Sequence, residues 1–119
     1  MLQNARVEID LSAIRHNLLH IRNIAGGNAS LMLPIKADAY GHGAVPVARY
    51  VERRGLADMF GVSSPAEGAE LREAGIRLPI LVLGLILPDA ESLEAILRYS
   101  LTQTVTDESL AAALAEEAI

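Results

Sequence analysis

Cysteine and tryptophan are absent from this sequence, phenylalanine occurs once, and of its ten cationic residues only Lys36 is a lysine. Each shortage excludes something. Without cysteine there can be no disulfide, no thiolate metal site and no cysteine nucleophile. One Phe, three Tyr and a net charge of −5 argue against a nucleic-acid surface, which needs basic runs and stacking rings. The longest apolar stretch, Leu78 to Pro88, is broken by Pro79 and Gly84. It falls far short of the roughly 20 residues that a membrane span needs. The opening residues, 1–6, lack the charged and apolar regions of a signal peptide, so a cytoplasmic protein without membrane attachment is expected. His16 and His20 have a chelating i, i+4 spacing, but no carboxylate motif of the HExxH kind accompanies them, and no metal is expected. Nucleotide signatures are also missing. No GxxxxGKS/T run exists, and Gly41-His42-Gly43 lacks the third glycine of GxGxxG.

What is present is a globular composition, 51% hydrophobic and 21% charged over 119 residues. That length suits one small domain or part of a larger one. Val7-Glu8-Ile9 reads as a short strand. Asp10 or Ser12 then caps a helix with apolar positions at Ile14, Leu18, Ile21 and Ala25, stopped by Gly26-Gly27. Leu31 to Lys36 reads as a strand, although Pro34 must leave a gap in its pairing. Alternation would put Met32, Pro34 and Lys36 on one face. A helix is expected over 44–54, a strand over 59–63, and then Ser64-Pro65-Ala66-Glu67, a capping box with proline at the first helical position. Its helix ends near Gly75. Ile80 to Gly84 reads as a buried strand, Asp89 caps a helix, and Leu101 to Val105 is a strand. Thr106 or Asp107 opens an alanine-rich helix that is expected to run to the last residue without a cap. From Leu31 onward the order is strand–helix four times over, which calls for parallel strands joined by helical crossovers. An open doubly wound sheet and a βα-barrel both fit this pattern.

In such folds reactive groups collect at the C-terminal ends of strands, where Lys36, Ser63 and Gly84 are expected. A desolvated lysine amine there suits Schiff-base formation. Tyr40, four residues on, can donate its phenolic proton to an anionic oxygen of a ligand near Lys36. Asp38 reads as a turn residue and His42 as a hydrogen bonder that orders the loop.

The run Ile35-Lys36-Ala37-Asp38-Ala39-Tyr40-Gly41-His42-Gly43 resembles the cofactor-lysine signature of the alanine racemase family, valine or isoleucine followed by KA[ND]AYGHG. The segment from Val7 to Asn17 resembles that family's opening. Ser64 to Arg72, Gly75-Ile76 and Pro79 to Gly84 resemble its next segments in the same order. The resemblance implies the N-terminal half of a parallel (β/α)8 barrel, incomplete in this chain. Residues 1–119 would form a single partial domain, with the family's C-terminal β-domain absent. It implies an isomerase that interconverts L- and D-alanine, supplying D-alanine for peptidoglycan and cell-wall biogenesis. Pyridoxal 5'-phosphate would be the cofactor, Lys36 its Schiff-base lysine and the proton acceptor for D-alanine, and Tyr40 a phosphate ligand. A homodimer is implied, because the family's second base is a tyrosine from the partner subunit. Related barrel enzymes with the same cofactor, such as serine racemases or decarboxylases, would share the lysine. A truncated chain that only binds cofactor weakly is the remaining alternative. The 119 residues alone are expected to be inactive, since they carry one of the two proton-transfer groups.

Overall fold

The computed structural model describes residues 4–119. Helix α1 (Leu11–Ala25) starts where Asp10 accepts hydrogen bonds from the Ser12 and Ala13 amides, and it ends at Gly26. Strand β1 (Met32–Pro34) follows, then a short helical turn α2 (Lys36–Tyr40) and helix α3 (Ala44–Arg53). Three further strand–helix units complete the chain: β2 (Met59–Val62) with α4 (Pro65–Glu73), β3 (Ile80–Val82) with α5 (Ala90–Arg98), and β4 (Thr102–Gln103) with α6 (Glu108–Glu117). Asp89 and Asp107 cap the last two helices through the Ser92 and Leu110 amides.

All three strand pairings are parallel, and the sheet order is β1-β2-β3-β4. This order separates the two architectures. Right-handed crossovers that always step in the same direction put every helix on the same face of the sheet, whereas a doubly wound sheet reverses direction. The register shows the result. Leu33, Phe60 and Ile80 stand side by side, as do Val62 and Val82, and all but Leu33 are completely buried with Val47, Ala48 and Val51 of α3 and Leu71 of α4. The other face carries Met32, Gly61, Leu81 and Leu83, and Met32 is 38% exposed. The molecule is accordingly a slab, 48 × 47 × 23 Å, with a radius of gyration of 16.3 Å. A fully compact chain of this length would have about 13.5 Å. The fold is α/β, a run of four consecutive βα-barrel units with helices on one side only.

At the N-terminal rim of the strands, Arg72 closes the loops. Its guanidinium donates to the carbonyls of Ile76, Leu78, Tyr99 and Ser100 at 2.8–3.2 Å. Burial lowers its pKa, and the Glu52 carboxylate opposes that effect. Glu52 itself accepts from the Arg77 and Leu78 amides. Asp58 accepts from the Leu31 amide at 2.7 Å and pairs with Arg22 at 3.1 Å, tying α1 and β1 to β2.

Several sequence expectations need correction. Val7–Ile9 forms no strand. Val7 is 83% exposed, and no neighbouring strand offers it a ladder among the described residues. The Leu31–Lys36 strand is shorter, because the chain turns left-handed after Ile35. Pro34 is accommodated because β1 bonds to β2 through Leu31 and Ile35, which leaves the Pro34 nitrogen facing away from that ladder. Ile21 does not join the core and is 49% exposed. Helix α6 ends at Glu117, with Ala118 as its cap residue, rather than running through the last residue.

Two predictions follow from this packing. Ile80→Ala should destabilise the chain by about 2–5 kcal/mol, and Leu81→Ala on the open face by much less; urea denaturation checks both. The second concerns pH. Asp58 is held below the ordinary carboxylate pKa by the Leu31 amide and by Arg22, Asp89 by Ser92, Asp107 by the Leu110 amide and Ser109, and Asp10 by Ser12 and Ala13. A depressed folded-state pKa stabilises above the unfolded value, about pH 4, and that contribution is lost as pH falls through the folded values. The melting temperature should therefore drop on acidification below about pH 4, and Asp58→Asn should make the drop shallower.

Candidate active site

The C-terminal rim of the sheet begins with an unusual piece of backbone. Ile35 still belongs to the ladder, its amide donating to the Gly61 carbonyl at 2.8 Å. Then Ala37, Asp38, Ala39 and Tyr40 all adopt φ between 50° and 56°. Four successive non-glycine residues make one turn of left-handed helix. Each L-residue there costs roughly 1–2 kcal/mol, because its Cβ crowds the following carbonyl. Gly41, at φ 88°, ends the turn without that penalty, and its amide bonds back to the Ala37 and Asp38 carbonyls.

Three sets of hydrogen bonds hold the turn. Inside it, the Ala39 amide donates to the Ile35 carbonyl at 2.9 Å. At its far end the Asp38 carboxylate accepts from the Ala44 amide at 2.8 Å, so this turn residue also serves the start of α3. His42 orders the same loop, its Nδ1 lying 2.9 Å from the Ala39 carbonyl. At the near end, the Ala37 amide donates to Glu67 Oε2 at 3.2 Å. Glu67 Oε1 accepts from the Ser63 hydroxyl.

This arrangement redirects the capping box. Ser64 caps α4 as expected, its hydroxyl accepting from the Glu67 amide at 3.3 Å. The reciprocal bond, from the Ser64 amide to the Glu67 carboxylate, is replaced by the bonds to Ser63 and Ala37. Sequence reasoning assigned Glu67 a local role and missed the long-range one. The motif that would have revealed it is the same motif that explained it away.

The rim continues across the sheet. A side chain on Gly84 would collide with the Ser63 carbonyl, so β3 can approach β2 this closely only without a Cβ. The Gly84 carbonyl accepts from Gln103 Nε2 at 2.9 Å, which links β4. Lys36, Ser63 and Gly84 thus do gather at the strand ends, as expected for this fold class.

Lys36 is half-buried, Tyr40 is 61% exposed, and they bracket one helical turn. The ion pairs formed among the described residues, Arg6–Glu8 and Arg22–Asp58, do not involve Lys36. Tyr40 borders an apolar hollow of about 330 Å³ with Ile14, Leu33, Pro34 and Val47. A hollow of about 200 Å³ behind the turn has Asp38, Glu67 and Glu70 as its polar wall. Another hollow, of about 490 Å³, lies between α4 and α5 and shares no residue with α2. Tyr50 and Tyr99 sit at the other rim, where the helices end. The Arg54 guanidinium lies 3.9 Å from the Tyr50 ring centre, and the Tyr99 hydroxyl donates to Glu73 at 2.6 Å, which raises its pKa. His16 and His20 are both exposed on α1, and no cluster of three metal-ligating side chains occurs among the described residues.

Singly wound parallel strands with a lysine amine at the C-terminal rim define the class, a segment of a βα-barrel of the kind that carries chemistry at its strand ends. The family described as alanine racemase, N-terminal domain, matches residues 9–119, and the chain belongs to it. Alanine racemase 1 of Caldanaerobacter subterraneus subsp. tengcongensis is 46% identical over 114 residues, covering 96% of this chain and 29% of that protein. The serine/alanine racemase of Enterococcus gallinarum is 38% identical over 118 residues, covering 99% of this chain and 16% of that protein. The solved alanine racemase of Clostridium difficile 630 superposes with a TM-score of 0.87 at 41% identity, covering 92% of this chain and 29% of that one. The chain spans under a third of the length of the relatives it matches.

The left-handed turn generates a prediction. Ala37→Gly removes the crowding at an exposed site but loosens the unfolded chain, so it should be neutral or stabilise by up to about 1 kcal/mol. Ala37→Val, β-branched at positive φ, should destabilise by about 1–2 kcal/mol. Urea midpoints of the two variants check the difference.

Proposed function

We propose that this chain is the lysine-bearing part of a pyridoxal-phosphate-dependent amino-acid racemase that interconverts L- and D-alanine. The observation that carries the reading is the placement of the chain's sole lysine. It lies at the C-terminal rim, half-buried, at the start of a strained turn that also presents Tyr40.

The residues suit pyridoxal 5'-phosphate. The cofactor needs a primary amine for its carbonyl and donors for its phosphate, and Lys36 and Tyr40 supply one of each. When bound, the cofactor supplies an electron sink that acidifies the substrate Cα proton. The protein's part is orientation and proton transfer. Lys36 Nζ would hold the cofactor and, once the substrate amine has displaced it there, the freed amine would take the Cα proton of D-alanine and return one in the opposite direction. The Tyr40 hydroxyl donates to the phosphate.

Racemisation needs a second proton-transfer group on the opposite face of the substrate. Tyr50 is stacked against Arg54 and Tyr99 is bonded to Glu73, both at the far rim, so neither serves. The resemblance to the family implies a tyrosine of the partner subunit of a homodimer for this role, and the positions of Tyr50 and Tyr99 are compatible with that. A cytoplasmic location and a role in D-alanine supply for peptidoglycan belong to the same proposal. Among the described residues no helix is long and apolar enough to cross a membrane. Alanine is the preferred substrate because the relatives above carry alanine in their names, one of them together with serine.

Borohydride reduction after incubation with pyridoxal phosphate tests the assignment. Lys36 is the only side-chain amine, so its sole competitor is the α-amino group. Peptide mapping should find the phosphopyridoxyl label on Lys36 in preference to the α-amino group. Label confined to the α-amino group, or none, would sink the reading.

A further inference from the structure

We infer that Glu67 is a positioning residue for Lys36, acting through the backbone of the left-handed turn. The inference rests on the reading of Lys36 as the cofactor lysine and goes beyond it by assigning what holds that lysine in place.

The Glu67 carboxylate accepts from the Ala37 amide, the peptide unit that leaves Lys36, at 3.2 Å. A left-handed turn of four L-residues lies in a sparsely populated region and persists only where its surroundings enforce it. Asp38 anchors the far end of that turn from within. The near end has no local side chain to do the same, because Ile35 precedes it and gives no side-chain hydrogen bond. Glu67 reaches it from α4, thirty residues along the chain. Ser63 fixes the carboxylate by donating to its other oxygen. Gly84 lies close against the Ser63 carbonyl, where a Cβ would not fit. The peptide unit that follows Lys36 is therefore tied, through Glu67, to Ser63 at the end of β2. Glu67 uses both its oxygens in this way and gives up the reciprocal bond of its own capping box.

The experiment compares Glu67→Ala, Glu67→Gln and Ser63→Ala with Glu70→Ala, a neighbouring carboxylate on the wall of the same hollow. The first readout is the rate at which pyridoxal phosphate and borohydride label Lys36, normalised to the α-amino group of the same molecule. Glu67→Ala should slow Lys36 labelling about tenfold. Glu67→Gln, whose amide oxygen can still accept from Ala37, should restore it to within about twofold. Ser63→Ala should fall between, and Glu70→Ala should match the parent. A general loss of folding would not be rescued by glutamine and would not spare the Glu70 variant. The second readout needs no cofactor. Amide hydrogen exchange over 36–41 should rise about tenfold in Glu67→Ala, with exchange over β2 and β3 unchanged. Unchanged labelling of Lys36 in Glu67→Ala would overturn the inference, as would unchanged exchange over 36–41. If the parent chain labels only its α-amino group, the cofactor assignment fails by itself, and the exchange measurement alone decides whether Glu67 holds the turn.

Discussion

The hydrogen bond between the Ala37 amide and the Glu67 carboxylate joins a left-handed turn of four L-residues to helix α4. Four L-residues in the left-handed region are unfavourable one by one. They are kept there because the alternatives are blocked. Ile35 is locked into the ladder with Gly61 and completely buried, and Asp38 is committed to the first turn of α3. Between those two fixed points the chain has few residues in which to reverse direction, and Glu67 stabilises the solution it adopts. Lys36 and Tyr40 are consequently carried on a turn that side-chain hydrogen bonds hold at both ends.

The same rim depends on the one-sided packing of the sheet. Strands in sequential order send every crossover over one face, and the burial of Phe60, Val62, Ile80 and Val82 beneath α3, α4 and α5 fixes their register. The opposite face, with Met32 and Leu83 around Gly61, is the side that a closed barrel turns inward. Arg72 ties the loops at one rim through backbone carbonyls, and Glu67 ties Ala37 to Ser63 at the other through a shared carboxylate. In folds of this class chemistry gathers at the second rim, where the helix N-termini and the strand C-termini meet.

Much of this was legible in the residues. The helix starts at Asp10, Ser64, Asp89 and Asp107 follow from capping chemistry that acts within three or four residues. The four strand–helix units follow from hydrophobic period and turn residues. The nine-residue run around Lys36 pointed to the family that the comparisons then showed. The failures share a cause. A strand over Val7–Ile9 needs a neighbour that local pattern cannot supply, and the same is true of a buried place for Ile21. The left-handed turn was invisible because alanine, aspartate and tyrosine carry no propensity for it. Glu67 was hidden because a capping box already accounted for it.

Composition and order by themselves determined which chemistry is available to this chain. There is one amine on a side chain, no thiol, and a series of parallel strand–helix units that ends its first strand at that amine. Tertiary structure alone decided how the amine is held. Which face the helices cover, which carboxylate reaches Ala37 and how closely Gly84 approaches Ser63 all depend on groups twenty or thirty residues apart. Contacts at that distance exist only once the sheet has assembled, since hydrogen-bond and packing energies act over a few ångströms and local sequence cannot specify what will arrive within that range.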